Sequence, residues 1–292
     1  MNTKVAHRKI ESVRILALGV YIVEIMLLVL AIAFFFKYRS MAFPSIIVAL
    51  LFYWIVVLRV DKAYSKTVVK MNLIVGTGNL FDKCVYKDKG GVERSDIRES
   101  GMLPTKEEEG NEVVSGPTLY LEKDGIDILV SNIIAYYPLA RGVDKHKVAL
   151  LKGLWLSSDF DALPADAEIA IERKNSLHKS IEDLFYIKQN MECKSQNVSG
   201  WWDEYNVYCK NISLDDLKYF LRQARSIVDS ILGKDLHLFI RLHQGKIYIF
   251  VSGRNLSMDF PIYKGPSLSF VEKNRIPEVV ALKDFISCYS KK

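Results

Sequence analysis

Two apolar stretches decide the fold: residues 15–36, ILALGVYIVEIMLLVLAIAFFF, and residues 41–58, MAFPSIIVALLFYWIVVL. The first has 22 residues, which as a helix span about 33 Å, enough for a hydrocarbon core of about 30 Å. The second has 18 residues, near the lower limit for a span. Because only residues 37–40 separate them, the sequence predicts an antiparallel transmembrane hairpin. The alternative is a cleaved signal peptide, for which the first stretch is long and the second has no role.

Basic residues predict how the hairpin is oriented. Eight of them flank its two ends: Lys4, Arg8, Lys9 and Arg14 before it, and Arg59, Lys62, Lys66 and Lys70 after it. The connector carries only Lys37 and Arg39. Positive charge favours the cytosolic side, so we expect a multi-pass protein of the plasma (inner) membrane with cytosolic N- and C-termini. The lipid bilayer is then its first partner.

Glu24 is the one charged residue inside the first stretch. A carboxylate near the centre of a membrane is costly and points to a function by default. One hypothesis is structural: Glu24 is protonated, or forms an ion pair with Arg59 that fixes the helix register. The other is functional: Glu24 couples to protons or ions, which would require an oligomer because two helices do not enclose a pathway.

The net charge of +6 does not indicate nucleic-acid binding. Residues 1–62 carry +5 of it, as expected for an orientation signal, and the remainder carries only +1. A nucleic-acid domain would show a concentrated basic stripe. The four cysteines form no C-x-x-C pair, so a zinc site has no local support and the thiols are expected to be free in the cytosol.

Residues 63–292 are predicted to form a soluble α+β domain, separate from the hairpin at 1–62. We expect a helical stalk at 63–81 and then a mostly antiparallel, β-rich domain with one long amphipathic helix. Turns at Asp124-Gly125 and Gln244-Gly245 separate apolar runs and predict β-hairpins. Residues 213–232 carry apolar side chains at helical spacing after Ser213, a favourable N-cap.

Two polar groups are weak candidate sites. On the predicted strand at 236–243, His237, Arg241 and His243 share one face and form a candidate anion site, although a solvated face is the favoured interpretation. Asp159 and Asp161, with Asp166 and Glu168 nearby, form a candidate acidic site for a divalent cation. An exposed loop is the favoured alternative for these acids.

Catalytic motifs are absent from the sequence, which has no G-x-S-x-G, no P-loop and no H-E-x-x-H. The sequence therefore leans against an enzyme and predicts no catalytic residue, metal or cofactor. Trp201-Trp202 is expected to be a buried anchor, with a membrane-touching or partner-binding tip as the alternative.

Four segments carry a resemblance to a known family: residues 95–103 (SDIRESGML), 112–137, 148–160 (VALLKGLWLSSDF) and 203–208 (DEYNVY). Together they resemble a bacterial family of unknown function, the domain-of-unknown-function family numbered 3137. Leu151 stands where an aromatic residue is expected. The resemblance implies a two-helix N-terminal hairpin followed by an α+β domain, and it carries no catalytic residues across.

The function hypotheses differ in what they ask of these residues. The first is a membrane-anchored cytosolic binding or scaffold protein, whose partners are other membrane or cytosolic proteins or a second copy of the chain. The second is a membrane-tethered hydrolase with an acidic site around Asp159 and Asp161. The third is an oligomeric transport component that uses Glu24.

Overall fold

The chain divides into two compact units, Met1–Leu80 with Ser257–Arg275 and Phe81–Leu256 with Ile276–Lys292. The computed structural model describes residues 2–102, 112–140, 145–174, 191–193, 201–231, 238–256, 265–273 and 276–290. The first unit ends at Leu80, so the boundary expected at residue 62 lies inside one of its helices.

The described helices and strands confirm the α+β class. The α-helices α1–α7 are Thr3–Lys37, Arg39–Phe52, Leu58–Asn72, Arg94–Glu99, Leu214–Ser230, Leu268–Glu272 and Pro277–Ser290. The strands β1–β9 are Lys83–Lys87, Glu112–Lys123, Ile126–Ala140, Lys145–Asp159, Glu168–Arg173, Glu192–Cys193, Tyr205–Lys210, Leu238–His243 and Lys246–Ser252.

The first unit is built on two long helices. One is α1, and the other runs from α2 through a π-helical segment, Tyr53–Val57, into α3 and a second π-helical segment, Leu73–Thr77. Both helices, Thr3–Lys37 and Ser40–Leu80, are long and apolar enough to cross a membrane by length and composition. Only 17% of the most apolar window of each is buried, and large side chains such as Phe36 and Trp54 point outward. These helices are therefore candidates for membrane association and are unlike the buried core helices of a soluble protein.

A regular seam of buried residues joins the two long helices. On α1 the buried positions recur every seven residues, at Ile10, Ala17, Glu24 and Ala31. On the second long helix they fall at Ala42, Ala49, Val57, Tyr64 and Met71. The single interval of eight residues, from Ala49 to Val57, contains the first π-helical segment, whose wider turn takes up the extra residue. The four alanines of the seam, two on each helix, let the helices approach closely at those positions.

A segment from far along the chain completes the first unit. Residues 265–273 return to the helices, and Val271 of α6 is buried in a cluster with Ile10, Tyr64 and Val68. The side chain of Asn72 donates to the carbonyls of Phe270, Val271 and Lys273 at 2.8, 3.3 and 3.2 Å. These bonds satisfy carbonyls at the end of α6 that have no partner within that helix.

The second unit is organised by one antiparallel sheet in the order β1-β2-β3-β4-β9-β8-β5-β7-β6. The predicted hairpins are confirmed: β2 pairs with β3 and β8 pairs with β9. Their two-residue turns, Asp124-Gly125 and Gln244-Gly245, have positive φ at both positions, between 50° and 76°. Two positive φ values define the type I′ turn, which matches the twist of the paired strands.

Helices cover both faces of this sheet. On one face α5 and α7 meet through aromatic side chains. The ring centroids of Phe220 and Phe285 are 5.2 Å apart, and both rings contact that of Phe160. On the other face Ile97 of α4 packs into a cluster that contains Trp155 and Phe250. The predicted N-cap of α5 is confirmed, since the Ser213 hydroxyl accepts from the amide of Asp216 at 3.1 Å.

We expect Gly76→Ala to detach residues 265–273 from the long helices. The added methyl carbon would lie 2.5 Å from the carbonyl oxygen of Lys273, whereas nothing lies within 4 Å of the matched position in the control Gly19→Ala. A clash of about 1–3 kcal/mol corresponds to roughly tenfold or more faster hydrogen exchange of the 265–273 amides. Equal exchange in the two variants, measured by mass spectrometry in detergent, would contradict the close approach.

Candidate functional site

Arg241 on β8 is the largest fully buried charged side chain in the described part of the second unit. Its Nη2 donates to Glu168 Oε2 on β5 at 2.7 Å, and its Nε donates to the carbonyl of Ser100 at 3.2 Å. It also contacts the sulfur of Met191. Ser100 caps the end of α4, so one guanidinium joins α4, β5 and β8.

The solvated-face interpretation of this strand is wrong at Arg241. The alternation that places Arg241 and His243 on one face is correct, but residues 100 and 191 cover that face at Arg241. The anion that Arg241 binds is Glu168 of the same chain, and His243 lies beside this pair. His237, the third member of the predicted anion site, lies outside the described residues.

His243 is neutral in this cluster. Its Nδ1 lies 3.2 Å from Glu168 Oε2 and 3.3 Å from Arg241 Nη2. Burial and the adjacent Arg241 lower the pKa of His243, and together they outweigh the opposing effect of Glu168. Because a guanidinium only donates, Nδ1 accepts a hydrogen bond from Arg241.

A second buried carboxylate lies four residues further along β5. Glu172 Oε1 accepts hydrogen bonds from Asn206 Nδ2 and from the Tyr208 hydroxyl, both at 3.2 Å. Glu168 is additionally 3.9 Å from Lys210 Nζ on β7. Both buried acids of β5 thus have partners on neighbouring strands, and no local pattern predicts these partners beyond the even spacing of Glu168 and Glu172.

The predicted acidic group does not assemble as one site. Glu168 pairs with Arg241, and Asp166 accepts from Asn211 at 3.3 Å. Asp159 and Asp161 are exposed at the end of β4. Within the described ranges, no group of three or more His, Cys, Asp or Glu side chains is placed to hold a metal ion.

Asp159 instead belongs to a line of charges across the sheet, which we name the charged row: Lys83, Glu122, Asp127, Asp159 and Lys246. Direct cross-strand pairs are Lys83 with Glu122, Glu122 with Asp127, and Asp159 with Lys246. The row lines an open cavity of about 380 Å³ together with Tyr120 and Ser157. With three carboxylates and two lysines the row carries a net charge of −1, so this surface favours a basic ligand over an acidic one.

Glu24 is the buried polar residue of the hairpin. It is 7% exposed, and its Oε2 has no hydrogen-bond partner among the described residues. No ion pair joins it to Arg59, which is exposed. Glu24 is buried in the seam whereas the side chain of Arg59 lies on an exposed face of its helix, which is the physical reason for the missing pair.

The remaining predictions concern cysteine and tryptophan. Cys84 and Cys288 are free thiols, Cys209 is buried on β7, and the side chain of Cys193 lies outside the described residues. Trp202 is 8% exposed and its ring lies 5.4 Å from that of Tyr205, as a buried anchor requires. The side chain of Trp201 is not among those described.

Comparison with known proteins gives no match. No protein-family model matches the chain, and no curated protein or solved structure is similar to it.

We expect Arg241→Met to destabilise the sheet domain by about 3–5 kcal/mol, because Glu168 then loses its buried counter-charge. Combining it with Glu168→Leu should recover most of this loss. The matched control is Lys83→Met, which removes an exposed ion pair to Glu122 at 3.3 Å and should cost about 0–1 kcal/mol. Urea unfolding followed by tryptophan fluorescence measures all three; a loss in Arg241→Met no larger than in the control would contradict a buried pair.

We also expect the domain to become less stable as the pH decreases, in a way that depends on His243. The pKa of His243 in the folded state lies below 6.5, its ordinary value in the unfolded chain. As the pH falls through 6.5, the unfolded chain therefore binds more protons than the folded protein, and unfolding is favoured. Thermal unfolding at pH values from about 7 to about 5 should show this loss in the wild type and a smaller one in His243→Gln. Identical pH profiles would show that His243 titrates alike in both states.

Proposed function

We propose that this chain is a membrane-anchored binding or scaffold protein that presents its sheet domain at the cytosolic face of the plasma (inner) membrane. The observation that carries the proposal is the outward-facing apolar surface of α1 and α2 between residues 15 and 58. Exposed apolar patches on monomeric soluble proteins rarely exceed a few hundred Å², and a band on two long helices is what a bilayer covers.

The charge distribution supports cytosolic ends. On α3, Arg59, Lys62 and Lys66 follow one another at intervals of three and four residues and are exposed. They lie opposite the buried side chains of Tyr64 and Val68 and directly follow the apolar band. A basic stripe at this position favours the negatively charged cytoplasmic leaflet, by about 1 kcal/mol for each residue near the surface.

Binding is favoured over catalysis by where the polar groups lie. Glu168, Arg241 and Glu172 are buried and bonded to one another's strands, so they are not available to a substrate. Neither His7 nor His243 hydrogen-bonds a hydroxyl or thiol within the described ranges. The charged row is open, and its three carboxylates suit a basic segment of a partner protein.

We further propose membership of the domain-of-unknown-function family numbered 3137. Its expected order of elements, two N-terminal helices followed by an α+β domain, agrees with the element order here. The resembling segments fall on structural positions: residues 95–103 include α4, and residues 148–160 lie on β4. There Gly153 lies so close to Val251 that a Cβ would contact its carbonyl oxygen.

The anchor and its orientation are tested by labelling single cysteines with a membrane-impermeant maleimide. We expect the native exposed Cys288 to react only in inverted vesicles, and Tyr38→Cys in the connector only in right-side-out vesicles. The background carries alanine at the other cysteines. Reversed labelling would overturn the cytosolic placement, and extraction of the protein by alkaline carbonate would overturn the anchor.

The same vesicles test binding. A partner that is recovered stoichiometrically with the wild type and lost with Asp127→Lys and Asp159→Lys supports the proposal. A chain that purifies alone in all variants contradicts it. Hydrolytic activity that disappears in Asp159→Ala and Asp161→Ala would favour the tethered-hydrolase alternative.

A further inference from the structure

Glu24 occupies a position in the helix seam where the neighbouring positions are small. Ala17 and Ala31 lie one seam interval before and after it on α1, and both are buried. Glu24 itself is more than nine-tenths buried. Its Oε2 is enclosed and receives no hydrogen bond from the described residues. The seam thus contains a carboxyl group with an unsatisfied buried oxygen.

Few titratable groups approach Glu24 from the elements packed around it. On the facing helix, residues 40–52 contain no titratable side chain. Tyr21 is the nearest titratable residue to Glu24 along α1, and Tyr53, Arg59 and Asp61 are on the second long helix. None of these forms an ion pair or hydrogen bond with Glu24 within the described ranges.

An ionised carboxylate without a partner is unstable in such a place. Removing a charge from water into an apolar medium costs far more than removing the neutral acid, and groups so placed neutralise instead. No basic side chain of the two helices forms an ion pair with Glu24 among the described residues. The neutral acid has lower cost and keeps one donor and one acceptor.

We propose that Glu24 is a proton-binding site within the hairpin, taking a proton from the aqueous phase and keeping it as the neutral acid in the seam. This inference rests on the proposed membrane anchor, and it adds a ligand, the proton, to a part of the chain otherwise assigned only to anchoring.

The test uses dicyclohexylcarbodiimide, a hydrophobic reagent, on the full-length protein in liposomes. The reaction requires the acid form: the carboxyl proton moves to a carbodiimide nitrogen, the carboxylate oxygen adds to the central carbon, and the product rearranges to a stable N-acylurea. We expect mass spectrometry to find the adduct on Glu24, with a yield that falls as the pH rises. Glu24→Gln should lose the adduct and its carboxylic-acid C=O infrared band.

Glu11 is the matched control, since it lies on the same helix before the apolar stretch and pairs with Arg14 at 2.8 Å. It should react with a water-soluble carbodiimide and not with the hydrophobic one. Glu24→Ala separates proton binding from helix packing: it continues the alanine seam, so insertion and thermal stability should be retained while labelling disappears.

Each contrary outcome has a distinct meaning. A protein that resists carbonate extraction but is unlabelled at every pH, or whose Glu24 reacts equally with the water-soluble reagent, would overturn the proton site alone. Loss of assembly in both Glu24→Gln and Glu24→Ala would show that Glu24 has a packing role instead. A protein that carbonate extracts would remove the membrane anchor itself.

Discussion

The sheet domain is organised around the pair formed by Arg241 and Glu168. Their side chains are 1% and 9% exposed, so both have lost most of their hydration. The Coulomb attraction of a buried pair offsets this loss only when the remaining donors and acceptors are also satisfied. Here the carbonyl of Ser100 and Nδ1 of His243 accept hydrogen bonds from Arg241, and Lys210 Nζ lies 3.9 Å from Glu168 as a second positive charge. A one-residue slip of β8 would move Arg241 to the opposite, apolar face, so the pair specifies the register of the strand as well as filling the core.

The two units differ in the partners of their buried carboxyl groups. Each described buried acid of the second unit has at least one donor, including Glu278, whose Oε1 accepts from Arg254 Nε at 2.9 Å although its Oε2 has no partner among the described residues. In the sheet domain, Glu168 and Glu172 are each surrounded by donors from adjacent strands. In the hairpin, Glu24 has an enclosed oxygen with no donor among the described residues. A stable fold explains the first arrangement completely, because removing any donor would leave a buried charge. It does not explain the second, since alanine at position 24 would continue the seam more simply. Glu24 is therefore the buried acid without any donor among the described residues, and the exposed chemistry of the domain includes surfaces such as the charged row.

Local patterns in the sequence were sufficient for several elements, but not for the short helices α4 and α6, and they were insufficient for the contacts between elements. The two hairpin turns, the N-cap at Ser213 and the apolar stretches each depend on a few adjacent residues, and all were predictable. The bond from Arg241 to Glu168 joins residues 73 positions apart, and that from Asn72 to Phe270 joins residues 198 apart. Such pairs follow from strand order and chain return, which no local pattern encodes. Alternation on β8 correctly placed Arg241 and His243 on one face, but it does not say whether that face meets water or α4.

The two π-helical segments of the second long helix indicate that the hairpin has a specific packing arrangement and is not only an apolar anchor. A buried position every seven residues drifts slowly around a straight helix, by about 20° for each interval. Inserting one residue in the π-helical segment Tyr53–Val57 returns the buried line toward α1, so that Ala49 and Val57 both remain in the seam. The second π-helical segment, Leu73–Thr77, contains Gly76, where the backbone of Lys273 approaches most closely. Both distortions thus occur where a specific neighbour must be accommodated. An anchor that only had to be apolar would need neither π-helical segment. The presence of both is the physical reason to look for function in the helices as well as in the sheet.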